Sequence, residues 1–210
     1  MDVPARFGFY GILTNPMRGY AYLAELFVDH EVRFIQLRMK KETRRERYHI
    51  AESLRRITDG TRSLFIVNDD VQMAADVCAD GAHIGQDDLP VEDARKILAP
   101  GAIIGLSTHN PKQTEAACRK LPAYIGVGPV YPTPTKVIAD PVLGIATMKE
   151  MVALSTVPAV VIGGIDQSNL RDVIRGGAVN FCSVRTVNAT LTPEKALKAL
   201  LKTYRDETGF

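Results

Sequence analysis

The sequence lacks the features that would place it in a membrane, outside the cell or on a nucleic acid. No apolar run approaches the ~18–20 residues of a membrane span. The start, Met1-Asp2-Val3-Pro4-Ala5-Arg6, does not have the basic-then-apolar order of a secretory signal, so a cytoplasmic location is expected. Cysteine is scarce. Cys78, Cys118 and Cys182 are odd in number, widely spaced and set among apolar neighbours, which excludes a disulfide frame or a cysteine zinc site and reads as reduced core residues. Charge of one sign is also missing. With 26 Lys+Arg against 24 Asp+Glu, the net charge of +2 gives no footprint for nucleic acid. The one basic cluster, Lys40 to Arg47, is broken by Glu42 and Glu46 and reads as a solvated helix start. No linker or low-complexity tract divides the chain. What is present, 210 residues with 46% hydrophobic content, suits one domain over 1–210 with a sizeable core. Self-association into a homo-oligomer is left open.

The pattern is an alternation of short apolar runs and helical repeats. Strands are expected over Phe9–Thr14, Val32–Leu37, Leu64–Val67, Gly81–Ile84, Ile103–Leu106, Tyr124–Val127, Val157–Ile162 and Val179–Val184. Helices fall between them. Tyr20–Val28 is the first; Thr43 and Glu46 form a capping box for the second, through Ile50, Leu54 and Ile57. Val71, Ala74, Ala75 and Cys78 give the buried face of the third, and Val91, Ala94, Ile97 and Leu98 that of the fourth. Asn110-Pro111 reads as cap and first turn of the fifth. A sixth helix runs to about Leu154, Leu170, Val173 and Ile174 mark the seventh, and Thr192-Pro193 caps the last, with Ala196, Leu197, Leu200 and Leu201 inside. The stretch from Gly128 to Gly144 is rich in Pro and Thr and long enough to be functional. Eight strand-helix units of this length call for a (β/α)8 TIM barrel, with an open doubly wound sheet as the alternative.

In such a barrel the residues after each strand meet at one mouth. They read Gln36, Arg38 and Lys40; Asn68 and Asp69; Gln86 and Asp88; Ser107 and His109; Thr133, Thr135 and Lys136; Gly163 and Gly164; Ser183 and Arg185. Cations and acids converge there, and a diphosphate with Mg²⁺ is the economical occupant. Mg²⁺ takes one or two carboxylates and completes its shell with phosphate oxygens; Arg grips phosphate bidentately and Lys supplies a point charge. Gly163-Gly164, with the loop after the eighth strand, suggests a second anion site. Duller readings exist for each residue. Arg38 suits a surface ion pair, Asp69 and Asp88 suit helix N-caps, Lys136 a solvated loop, and His109 packing at a helix start. Asp70 and Asp87 read as solvated neighbours.

At these residues the chain resembles the thiamine-phosphate synthase family. The resemblance is carried by Phe34-Ile35-Gln36-Leu37-Arg38-Met39-Lys40, Asn68-Asp69, Gly81 to Asp88, Ile104 to His109, Gly128 to Lys136 and Ile162-Gly163-Gly164-Ile165. It implies a Mg²⁺-dependent transferase. A pyrimidine methyl group would leave its diphosphate and be captured by the nitrogen of a thiazole phosphate, giving thiamine phosphate and diphosphate. By matching position, Asp69 and Asp88 would hold the metal. Gln36, Arg38, Lys40, Asn68 and Lys136 would contact the pyrimidine diphosphate, and Ser107 would lie against the pyrimidine. Arg38, Ser107 and Lys136 would carry the chemistry. Thr133, Thr135, Gly164 and the turn Val184-Arg185 would seat the thiazole phosphate. Met39, Asp70 and Arg185 depart from the pattern. A thiazole tautomerase sharing the barrel, or a non-catalytic ligand-binding paralogue, are the alternatives.

Overall fold

The computed structural model describes residues 3–134 and 141–210. Its eight parallel strands close in sequence order into a barrel. The strands are β1 Gly8–Leu13, β2 Phe34–Leu37, β3 Leu64–Asn68, β4 Gly81–Ile84, β5 Ile103–Thr108, β6 Tyr124–Val127, β7 Ala159–Val161 and β8 Asn180–Phe181. The helices are α1 Tyr20–Asp29, α2 Arg44–Thr58, α3 Val71–Asp76, α4 Val91–Ile97, α5 Pro111–Arg119, α6 Gly144–Leu154, α7 Leu170–Arg175, α8 Val184–Asn188 and α9 Pro193–Thr208. No described helix is long and apolar enough to cross a membrane.

Strands buried on both faces must be apolar throughout, which is why the runs in the sequence are continuous. The outer strand faces pack on the helices through Phe9, Phe27, Leu54, Phe65, Met148 and Leu200. A smaller inner cluster fills the barrel with Tyr10, Ile12, Phe34, Ile66, Tyr124 and Cys182. Thr43 and Glu46 make the capping box of α2. Asn110 caps α5 through Gln113 N, with Pro111 in its first turn.

Four expectations need correction. The eighth strand stops at Phe181, and Val184 opens α8 instead of ending a strand. Two residues make too few ladder bonds to seal the barrel, and buried asparagines complete the seam. Asn180 accepts from the Phe7 and Gly8 amides, and Asn188 accepts from the Thr14 amide while donating to the Ile12 carbonyl. Cys78 is exposed and lies past the end of α3 in a left-handed turn (φ 53°). Ile97, at the end of α4, is 39% exposed. Thr192 starts α9 without a side-chain cap.

Candidate active site

The carboxyl ends of the strands open into a cavity of about 880 Å³. Every described residue given a role by the resemblance lines it: Gln36, Arg38, Lys40, Asn68, Asp69, Asp88, Ser107, Thr133, Gly164, Val184 and Arg185. Ser183, from the strand-end list, instead is buried and donates to the Ile165 carbonyl at 2.6 Å. Thr135 and Lys136 lie outside the described residues.

On one side is an acidic rim. The chain leaves β3 through Asn68, and Asp69 is held in the left-handed region (φ 62°), a strained conformation for a residue with a side chain. The Asp69 amide donates to the His83 carbonyl at 2.8 Å, tying β3 to β4. Asp70 is not a solvated neighbour. Its carboxylate accepts from the Met73 amide at 3.0 Å, capping α3, and pairs with Arg47 of α2 at 3.1 Å. The capping role thus falls to Asp70 and leaves the Asp69 carboxylate free to face the cavity. There it pairs with Lys40. Asp88 accepts from the Gly85 amide at 2.7 Å, which fixes its turn after β4. Burial raises the Asp69 carboxyl above the usual carboxylate range; Lys40 opposes the shift and the neighbouring Asp88 charge adds to it.

The opposite side is a glycine rim. Gly163 (φ 104°) and Gly164 (φ 63°) turn the chain sharply after β7. A Cβ on Gly164 would lie 2.6 Å from the Tyr131 Cβ and 2.7 Å from the Pro132 carbonyl oxygen, so only glycine fits. The loop after β6 lies on this turn through hydrogen bonds from Val130 N to Ile162 O (3.0 Å) and Tyr131 N to Gly163 O (2.9 Å). Arg185 sits in the first turn of α8, exposed at the cavity edge. Its charge is one of the influences that hold Asp166 below the usual carboxylate range, after the hydrogen bonds from Ser168 and Asn169.

Between the rims, the floor is polar. Gln36, 2% exposed, donates to the Tyr10 hydroxyl at 3.0 Å, and the hydroxyls of Tyr10 and Tyr124 are 2.6 Å apart. His83 Nδ1 is 3.1 Å from the Tyr124 hydroxyl, and its Nε2 is 2.9 Å from Ser107 Oγ. Burial pushes the His83 imidazole down to about 4, so it is neutral at pH 7. Sequence reasoning found Gln36 and Ser107 but missed Tyr10, His83 and Tyr124. Their only signal was a polar atom inside an otherwise apolar strand. His109 Nδ1 is 2.6 Å from the Gly128 carbonyl, in keeping with a packing role.

The residues fit a hard divalent cation. Two carboxylates share the acidic rim, and an ammonium group already sits on one of them as a stand-in for positive charge. Among the described residues there is no cluster of three or more His, Cys, Asp or Glu. Mg²⁺ takes one or two carboxylates and completes its shell with phosphate oxygens and water.

The family model described as thiamine monophosphate synthase matches residues 13–187. The chain belongs to the thiamine monophosphate synthase family. Among its relatives, the thiamine-phosphate synthase of Shouchella clausii is 38% identical over 188 residues, covering 89% of this chain and 90% of that protein. That of Synechocystis is 39% identical over 190 residues, 90% of this chain; the chain spans 55% of the Synechocystis protein's length. The solved thiamine phosphate pyrophosphorylase of Pyrococcus furiosus superposes with a TM-score of 0.87 at 30% identity, over 97% of this chain and 98% of that one. A 3-hexulose-6-phosphate synthase, with a TM-score of 0.65 at 13% identity, shares the fold alone. Membership makes this chain an enzyme of the transferase class.

Proposed function

We propose that this chain is a Mg²⁺-dependent thiamine-phosphate synthase that joins 4-amino-2-methyl-5-hydroxymethylpyrimidine diphosphate to a thiazole phosphate, releasing diphosphate. The observation that carries the reading is the pairing of two rims across one cavity. Asp69, Asp88 and Lys40 gather on one side, with the glycine turn and Arg185 on the other. Two anion-binding sides suit two phosphorylated substrates.

Asp69 and Asp88 would hold Mg²⁺, which when bound neutralises charge on the departing diphosphate. Lys40 moves from Asp69 to the diphosphate in this reading, and Arg38 and Asn68 supply further donors at the same mouth. Lys136 is assigned to the leaving group by its place in the family motif. Charge aimed in advance at a leaving group accelerates a dissociative step, because no solvent need reorganise at the moment of cleavage. Gln36 and Ser107 hold the pyrimidine ring at the floor, while Thr133, Thr135, Gly164 and the Val184-Arg185 turn seat the thiazole phosphate. The thiazole ring nitrogen carries its own lone pair, so the capture step needs no general base.

Purified protein incubated with both substrates should form thiamine phosphate only when Mg²⁺ is supplied, and EDTA should stop it. Isomerised thiazole as the sole product would replace this reading with a tautomerase. Binding of both ligands without product would replace it with a non-catalytic paralogue.

A further inference from the structure

The floor of the cavity contains a continuous chain of hydrogen bonds that links the two groups assigned to the pyrimidine ring. It runs from Gln36 through Tyr10, Tyr124 and His83 to Ser107. Two features mark it as built into the barrel. Gly105 faces the His83–Tyr124 contact, and a Cβ there would lie 2.5 Å from both His83 Nδ1 and the Tyr124 hydroxyl. Any side chain at 105 would therefore separate the pair. The rings of His83 and Tyr124 are also stacked, with centroids 5.5 Å apart and planes 23° from parallel.

The direction of the chain follows from counting protons. Gln36 Nε2 is a donor only, so the Tyr10 hydroxyl accepts from it and its own proton is left for Tyr124. Tyr124, having accepted, donates to His83 Nδ1. An Nδ1 that accepts carries no proton, so the N–H of the ring is on Nε2 and points at Ser107 Oγ. Ser107 accepts that bond, and its own proton is left for the cavity. At the other end, Gln36 has its carbonyl oxygen and its second amide N–H left over. Turning the Gln36 amide over would reverse every bond, leaving an NH₂ at Gln36 and an acceptor at Ser107.

We propose that Tyr124 and His83 are positioning residues that couple Gln36 to Ser107 through the barrel floor, so that the Gln36 amide, by donating to Tyr10, commits the Ser107 hydroxyl to donate into the cavity. The ring class that fits has an acceptor for that hydroxyl and a donor for the Gln36 carbonyl, as a 4-aminopyrimidine does with its ring nitrogen and amino group. A ring without the donor leaves the Gln36 carbonyl unpaired in a buried place. This deepens the synthase reading for the identity of the ring, but the relay itself can be tested without it.

The first measurement is ¹⁵N NMR of histidine-labelled protein with no substrate. The His83 resonances should report the proton on Nε2, and Tyr124→Phe, which removes the donor to Nδ1, should move the Nδ1 resonance to that of an unbonded lone pair while the proton stays on Nε2. A proton on Nδ1 in the parent, or an Nδ1 resonance indifferent to Tyr124→Phe, would overturn the relay in the direction assigned, whether or not the protein makes thiamine phosphate. The second measurement is turnover with the aminopyrimidine diphosphate and with its analogue in which hydrogen replaces the amino group. The parent should favour the amino compound by roughly 100-fold in kcat/KM, and Tyr124→Phe should cut that preference by about tenfold, with the KM for thiazole phosphate unchanged. An unaltered preference would overturn the coupling. If Tyr124→Phe does not fold, Tyr10→Phe cuts the chain one bond earlier. It should relax the preference by the same factor, and failure to do so counts equally against the coupling.

Discussion

The acidic rim and the glycine rim face each other across one cavity and use opposite means. The first brings side-chain charges together at a conformational cost: Asp69 is held at φ 62°, its carboxyl is raised by burial, and Asp88 stands near enough to add to the shift. The second removes side chains. Gly163 and Gly164 turn where no Cβ fits, and the charge there comes from Arg185, exposed at the edge. The difference teaches which groups each side awaits. In the proposed reaction the paired carboxylates would take a cation, whereas the bare backbone and one guanidinium would take a phosphate directly.

The largest effect should come from breaking the acidic rim. Asp69→Ala is expected to lower Mg²⁺-dependent turnover by about 10²-fold or more, the scale seen when a preorganised charge-stabilising group is lost. The barrel should remain folded, because a residue past the end of β3 contributes little packing; circular dichroism checks this. If turnover survives at saturating Mg²⁺, Asp69 is outside the metal's shell and the contrast between the rims loses its basis.

On the glycine rim, Arg185→Ala should raise the KM for thiazole phosphate about tenfold, roughly the ~1.5 kcal/mol of a charge-assisted bond at an exposed position. The KM for the pyrimidine substrate should not move. Added salt should shrink the difference between parent and variant, since an exposed charge is screened within about 10 Å at 0.1 M. A variant that weakens both substrates equally would mean that Arg185 acts on the whole mouth. Gly164→Ala should act through the backbone instead. Holding alanine in the left-handed region costs about 1–2 kcal/mol, and relief of the Tyr131 and Pro132 contacts adds to it. Denaturant unfolding would detect this; an unchanged midpoint would show that the turn relaxes freely.

Much of this division could be read before any coordinates. The strand-end list placed Asp69 and Asp88 together because a parallel barrel delivers every strand's carboxyl end to one face. Thr43 and Glu46 were legible because a capping box is a local pattern. What escaped needed tertiary information. Two adjacent acids, Asp69 and Asp70, carry the same cap signal, and only the ion pair from Arg47 shows which one turns back to cap α3. Strand eight read as six residues because Val179 to Val184 is apolar enough for either state; the asparagine seam replaces its ladder. Tyr10, His83 and Tyr124 escaped because an inward position and a helix-facing position look alike in a strand buried on both sides.

The smallest prediction sets one carboxylate of each rim against the other. The Asp69 carboxyl is raised in the folded state, so the unfolded chain gives up its proton at lower pH than the folded one. Ionising it therefore costs stability, fully above its folded pKa and progressively less as pH falls toward the ordinary value near 3.9. Asp166 is the reverse. The bonds from Ser168 and Asn169 lower it, so it contributes stability above the ordinary value that is lost as pH falls through its folded pKa. Asp69→Asn should raise the Tm at pH 7 while lowering Mg²⁺-dependent turnover, and Asp166→Ala should lower the Tm, each shift being a few degrees. Both differences should shrink as the pH is taken into the acid range. If the two substitutions moved the Tm in the same direction at pH 7, the acidic rim would not be the strained side of the cavity, and Asp69 would be held in place by Lys40 at no cost.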